Sequence, residues 1–150
     1  MTLEIANEQD ALPLDLERLR RETLVLLRET GYRGELSLAI VTDAKIREVN
    51  ARFLGHDYET DVNAFPLSET EGEVVVSAER AMEEAAERGV EPLAELMLYV
   101  VHGILHLTGH DDHEPADAER MHETSLHLLR AAGYDNTIPD RERQGKERSS

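Results

Sequence analysis

Two histidines with the spacing of one helix face are the residues of this sequence best suited to chemistry. His102 and His106 follow the apolar run 96–101, which contains no Gly or Pro and therefore predicts a buried helix. Side chains four residues apart project from the same helix face. Gly109 suits the end of that helix, and the loop 110–113 then supplies further His and Asp residues. Two imidazoles from a helix and a third ligand from the next loop form a three-ligand zinc site, open to water or substrate at the fourth position.

The alternative for these histidines is a structural role in the protein core. A single histidine on an apolar helix is usually bonded to a carbonyl group, and two neutral imidazoles would each need a donor and an acceptor partner. A pair at this spacing, followed directly by a cluster of His and Asp, favours metal binding over that alternative.

The residue after the first histidine bears on the kind of reaction. Peptidases of the zincin type place a Glu there as the general base, and this chain has Gly103, which cannot move a proton. The peptidase hypothesis is therefore weakened, whereas the metal hypothesis is not. A zinc-activated water could instead attack an ester or a phosphodiester. Asp111, Asp112 and Glu114 are the candidates to assist it, or to hold the imidazoles in one tautomer.

Composition limits the class of protein. The 150 residues predict one domain, and the absence of cysteine excludes disulfides and thiolate metal sites. The formal net charge of −16 argues against general affinity for nucleic acid or acidic membranes, although a local basic groove remains compatible with it. The first ten residues predict no signal peptide, and no apolar run is long enough to span a membrane. We therefore expect a cytoplasmic protein without a membrane partner.

The predicted elements form a single α+β domain over residues 1–139, with about four strands and five helices, followed by a disordered polar tail at 140–150. In the first helix, the apolar spacing predicts that Leu16, Leu19, Leu24 and Leu27 are among the buried residues. The predicted strands are 3–7, 35–41, 60–65 and 72–77, and the predicted helices are 15–29, 44–54, 78–88, one from Pro92 through the histidines, and one from Pro115 to Gly133.

Three blocks of the chain resemble the YbeY family of bacterial zinc-dependent endoribonucleases. The blocks are His-Gly-x-Leu-His-Leu-x-Gly from residue 102, the stretch 49–66 ending in Asn-Ala-Phe-Pro, and Gly-Glu-Val-Val-Val-Ser at 72–77. The resemblance implies a zincin-like fold with a small mixed four-stranded sheet and one zinc ion held by three histidines. It also implies single-stranded RNA as substrate, action in small-subunit rRNA maturation and ribosome quality control, and the ribosome or its assembly factors as partners.

The third metal ligand is the first point at which the chain departs from the family pattern. The family's third histidine lies at the position of Asp112, and His113 lies one residue further on. Both side chains can bind zinc. We predict His113, because a loop absorbs one extra residue easily and the sequence from Asp112 to Glu114 then matches the family's Asp-His-Glu.

The second departure is Leu54, where the family often has an arginine. If that arginine binds RNA phosphate, its role here falls to other cations, and we predict Arg52 and Lys45, which share a helix face. The alternative is that both are solvated surface charges. Leu54 and the acidic composition also leave open a non-catalytic ribosome-assembly factor with a structural metal, beside the nuclease and the peptidase.

Overall fold

One mixed sheet carries the fold. The computed structural model describes residues 2–49, 51, 62–109 and 115–134. Within these ranges the strands lie in the order β1-β2-β4-β3, which confirms the predicted α+β class with four strands and five helices. The elements are β1 (Leu3–Asn7), α1 (Leu16–Thr30), β2 (Glu35–Val41), α2 (Asp43–Val49), β3 (Val62–Pro66), β4 (Glu71–Ser77), α3 (Ala78–Arg88), α4 (Pro92–Leu107) and α5 (Pro115–Ala131).

The sheet combines parallel and antiparallel pairs. Strands β1, β2 and β4 run parallel, and β3 returns antiparallel to β4 through a short turn. The three valines of β4, Val74 to Val76, are all buried, which is typical of a continuous apolar run in a strand of a parallel sheet. Pro66 is the last residue of β3, an edge strand, where a missing backbone donor costs little.

The two faces of the sheet are covered differently. Helices α1, α4 and α5 share one core with the β2 and β4 side chains Leu38 and Val74. On the opposite face, Ile46 of α2 packs against Val41 and Val75. Because successive strand residues point to opposite faces, α2 and α4 lie on opposite sides of the sheet.

Helix ends lie where the sequence predicted them. Asp15 caps α1 by accepting a hydrogen bond from the Arg18 backbone nitrogen at 3.2 Å, and Ser77 caps α3 in the same way. Gly31 and Gly89 follow these helices in left-handed conformations, with φ of 75° and 70°. The predicted extension of the second helix to residue 54 and the predicted start of the third strand at 60 fall outside the described residues.

The prediction for the buried face of α1 was partly wrong. Leu19 and Leu27 are buried, but Leu16 and Leu24 are exposed by 43% and 40%. Leu26 is fully buried in their place. The face of α1 that contacts the core is narrower than the apolar spacing predicted, so Leu16 and Leu24 lie outside it.

Candidate metal centre

Helix α4 carries the histidine pair and crosses the core. Residues 94–101 are all buried, and Glu95 is the one charged residue among them. Pro92 lies in its first turn, where a missing backbone donor breaks no helical hydrogen bond. The helix ends at Leu107, one residue beyond the second histidine. The pair therefore lies in the last turns of a helix that is otherwise held by the core.

The histidines occupy the part of α4 that reaches the surface. His102 is half-buried and His106 is exposed. The buried helix predicted from the apolar run is confirmed for residues 94–101, but the face that carries the histidines emerges from the core towards the helix end. This position also disfavours the alternative of two core histidines, since an exposed imidazole needs no buried partner. The same exposure would let a substrate reach an ion held by these two imidazoles.

Gly103 lies at the contact between α4 and the sheet. A Cβ atom built on Gly103 would be 2.5 Å from Cγ1 and 2.9 Å from Cγ2 of Val74, and 3.3 Å from Cγ2 of Val62. A glutamate at this position, as in zincin peptidases, has no space. The structure thus gives a steric reason for the glycine, where the sequence showed only that a general base was missing.

The two imidazoles supply some, but not all, of the ligand atoms that a transition-metal ion needs. His102 and His106 lie four residues apart on one helix, so their imidazoles are neighbours on one face. Neutral imidazole nitrogens suit zinc, and the chain has no cysteine that would compete as a ligand. In the part of the chain that the structure describes, no group of three or more His, Cys, Asp or Glu side chains surrounds them. The described residues therefore offer two imidazoles suited to a metal ion and no third ligand beside them.

The remaining predicted site residues are only partly placed. The third-ligand candidates His113 and Asp112 lie outside the described residues, as do the catalytic candidates Asp111 and Glu114 and the phosphate-binding candidate Arg52. Lys45 is exposed on α2, across the sheet from α4. The structure therefore does not bring Lys45 next to the histidine helix.

A cleft of about 430 Å³ opens at the C-terminal end of α4. Leu107 and Thr108 form one wall, and the loop around Tyr32 and the turn at Thr70 form the others. The Tyr32 hydroxyl donates to the carbonyl oxygen of Glu35 at 2.8 Å. Burial, followed by neighbouring carboxylates, raises the pKa of Tyr32, so this wall presents a neutral phenol at physiological pH.

A second cavity, of about 540 Å³, lies on the opposite side of the sheet, where strands β1, β2 and β4 leave their outer face open. Its lining includes the carboxylates of Glu4, Glu8 and Glu73 and the Arg20 side chain. This cavity is the larger of the two but is remote from the histidine pair. We therefore assign no part in the metal centre to it.

The fold is an α+β domain in which a pair of histidines suited to metal binding lies at the accessible end of α4. Comparison with known proteins narrows the class. The family model described as endoribonuclease YbeY matches residues 4–133. This chain belongs to that family, as the three sequence blocks predicted.

Individual relatives agree with the family match. An endoribonuclease YbeY of Carboxydothermus hydrogenoformans is 35% identical over 88% of this chain and 98% of its own length. One from Rhodopirellula baltica is 41% identical over 69% of this chain, but only 56% of that relative is covered. The solution structure of TM1509 from Thermotoga maritima is similar with a TM-score of 0.64 and 26% identity, covering 87% of this chain and 89% of that one.

Proposed function

We propose that this chain is a zinc-dependent endoribonuclease that cleaves single-stranded RNA in small-subunit rRNA maturation and ribosome quality control. Family membership supports a hydrolytic endoribonuclease with an RNA substrate, and the dependence on zinc is part of the proposal. The single observation that carries the proposal is the histidine pair at the accessible end of α4, in a chain of this family.

In the proposed site, His102, His106 and His113 would hold the zinc ion. Each imidazole would bind it through one nitrogen, and a hydrogen bond from the other nitrogen would orient the ring. A bound zinc ion would supply Lewis acidity at the phosphodiester and at the attacking water. The candidates to orient an imidazole or to accept a proton are the loop carboxylates Asp111, Asp112 and Glu114.

The steric environment of Gly103 supports the nuclease over the peptidase. A zincin-type general base would have to stand where Val74 already fills the space. The base for this reaction must therefore come from outside the helix. A nuclease is compatible with Gly103, because hydrolysis of a phosphodiester does not require a carboxylate at this position of the helix.

The proposed substrate must approach a strongly acidic protein. We propose that Lys45 and Arg52 supply phosphate contacts, so that affinity is modest and falls with added salt. Lys45 is exposed on α2, which makes it available for such a contact, although it lies across the sheet from α4. An unchanged salt slope for RNA binding by the Lys45→Ala, Arg52→Ala double variant would contradict this role.

The proposed setting is the cytoplasm, with ribosomal particles or assembly factors as partners. In the described ranges, no helix is long and apolar enough to cross a membrane. The family match at 4–133 lies within the proposed domain 1–139. The proposed disordered tail at 140–150 lies outside the described residues and stays a prediction.

The test of function compares two substrates and two histidine variants. Zinc-loaded protein is incubated with a single-stranded RNA and, separately, with an unstructured protein, alongside His102→Ala and His127→Ala. His127 is an exposed histidine on α5 and serves as the matched control. We expect RNA cleavage by the parent chain and by His127→Ala, and none by His102→Ala.

Two other outcomes would contradict the proposal. Cleavage of the protein substrate but not of the RNA would show a peptidase. Binding of ribosomal particles without any cleavage that depends on His102 would show a non-catalytic assembly factor with a structural metal.

The third ligand needs its own test. Zinc content is measured after mild chelation for His113→Ala and Asp112→Ala, with His102→Ala as the reference for a lost ligand. We expect His113→Ala to lose zinc like the reference and Asp112→Ala to retain it. The reverse pattern would transfer the ligand role to Asp112.

A further inference from the structure

Two reciprocal contacts join the histidine helix to strand β4. At the first, the helix contributes the small residue, Gly103, and the strand contributes Val74. At the second, the helix contributes Leu107 and the strand contributes Gly72. A Cβ atom on Gly72 would lie 2.8 Å from Cδ1 of Leu107 and 2.9 Å from the Tyr32 hydroxyl. Each glycine therefore receives a larger side chain from the opposite element.

The spacing of the two contacts matches along both elements. Four residues of helix, from Gly103 to Leu107, rise about 6 Å, and two residues of strand, from Gly72 to Val74, span about 6.6 Å. Both contacts can therefore close at once in only one register of α4 on β4. Each contact lies directly beside one histidine, because His102 precedes Gly103 and His106 precedes Leu107.

We infer that Gly103 and Gly72 are positioning residues of the metal centre, which set the distance and register of the His102–His106 helix on the sheet. The inference rests on the proposed metal-dependent function of that pair. Gly103 then has a structural role in addition to excluding a general base from this position. The glycine lets α4 lie close enough to the sheet for the two imidazoles to meet a ligand from elsewhere in the chain.

Val74 cannot give way at the first contact. It is fully buried in the main core, and branching at Cβ restricts its χ1 angle. A Cβ atom at residue 103 must move from 2.5 Å to an ordinary contact distance, so α4 must shift by about 1 Å. Metal ligands must be held within about 0.5 Å of their working geometry, so a shift of this size weakens the site.

The test uses zinc affinity, measured by chelator competition well below the melting temperature of each variant. We expect Gly103→Ala to bind zinc about 10–100-fold more weakly than the parent chain, which is the range for loss of support to a ligand. Val76→Ala is the matched control, because it removes core methyl groups from the same face of β4 at a residue that takes part in neither glycine contact. We expect it to lower the melting temperature and to leave zinc affinity within about twofold of the parent.

The double variant Gly103→Ala, Val74→Ala restores space at the contact. We expect it to recover most of the zinc affinity lost by Gly103→Ala, with a Co²⁺ absorption spectrum like that of the parent chain. It also serves if Gly103→Ala does not fold, since recovery of folding together with metal binding supports the same inference.

Failure of the proposed metal centre and failure of the positioning role give different results. If the parent chain itself does not bind zinc, the proposed metal centre is overturned. If the parent binds zinc and folded Gly103→Ala binds it equally well, or if the double variant folds but shows no recovery, only the positioning role is overturned.

Discussion

A buried ion network joins α3 to the start of the histidine helix and supports a quantitative prediction. The Arg88 and Glu95 side chains are exposed by only 5% and 1%. Nη1 of Arg88 donates to both carboxylate oxygens of Glu95 at 3.0 Å. A second carboxylate, Glu84 on α3, lies 3.1 Å from the other terminal nitrogen of Arg88. The guanidinium is thus held between two helices.

Removing one partner should be costly because the other stays buried. Glu95→Ala leaves the Arg88 guanidinium without its bidentate acceptor, and breaking a buried pair in this way costs about 3–5 kcal/mol. Glu84 keeps part of the compensation, so we expect about 3 kcal/mol. Small proteins are stable by about 5–15 kcal/mol, so the variant should fold but melt on the order of 10 °C lower.

The assay is urea unfolding of the parent chain, of Glu95→Ala, of the single variants Arg88→Met and Glu95→Leu, and of the double variant that combines these two. Replacing the pair by apolar residues, Arg88→Met with Glu95→Leu, should recover most of the loss, since two charges no longer need to be desolvated. A cost below about 1 kcal/mol for Glu95→Ala, or single-variant costs that simply add in the double variant, would refute the reasoning.

The same variants test whether the network acts on stability alone. Glu95 lies seven residues before His102 on α4, which is about 10 Å along the helix axis. We expect zinc affinity to be unchanged in folded Glu95→Ala. A large loss of zinc affinity would show that the network also positions the histidine pair.

Three further predictions concern other parts of the fold. Burial and a hydrogen bond to Glu22 raise the pKa of Tyr134. The contribution of Tyr134 to the free energy of unfolding is therefore complete below about pH 10 and declines as the pH rises above 10. Urea unfolding of Tyr134→Phe should therefore show a flatter decline above pH 10, and an unaltered profile would contradict this. Gly103→Glu recreates the zincin motif, yet we expect circular dichroism to show disrupted folding and protein-substrate assays to show no peptidase activity, because Val74 fills the space. Ser77→Ala removes the N-cap of α3 and should cost about 1 kcal/mol in thermal melts, and no change would argue against the cap.

Local sequence determined the helices, the strands and their ends to a large extent. Caps such as Asp15 and Ser77 act within three residues of themselves, so their effect can be read without the rest of the chain. The valine run of β4 predicted side chains buried on both faces of the sheet, and Val74 to Val76 are buried. The spacing of His102 and His106 likewise determined a shared helix face, and their role as metal ligands stays a prediction.

Tertiary structure alone decided where these elements meet. The strand order β1-β2-β4-β3 and the position of α2 opposite α4 depend on packing between segments far apart in the chain. The exposure of Leu16 and Leu24 was decided in the same way, because a leucine is buried only where another element covers it. The contact of Gly103 with Val74 joins residues of two elements that no local pattern relates. In the sequence Gly103 marked only a missing base, whereas the helix–sheet contact explains why no side chain fits there.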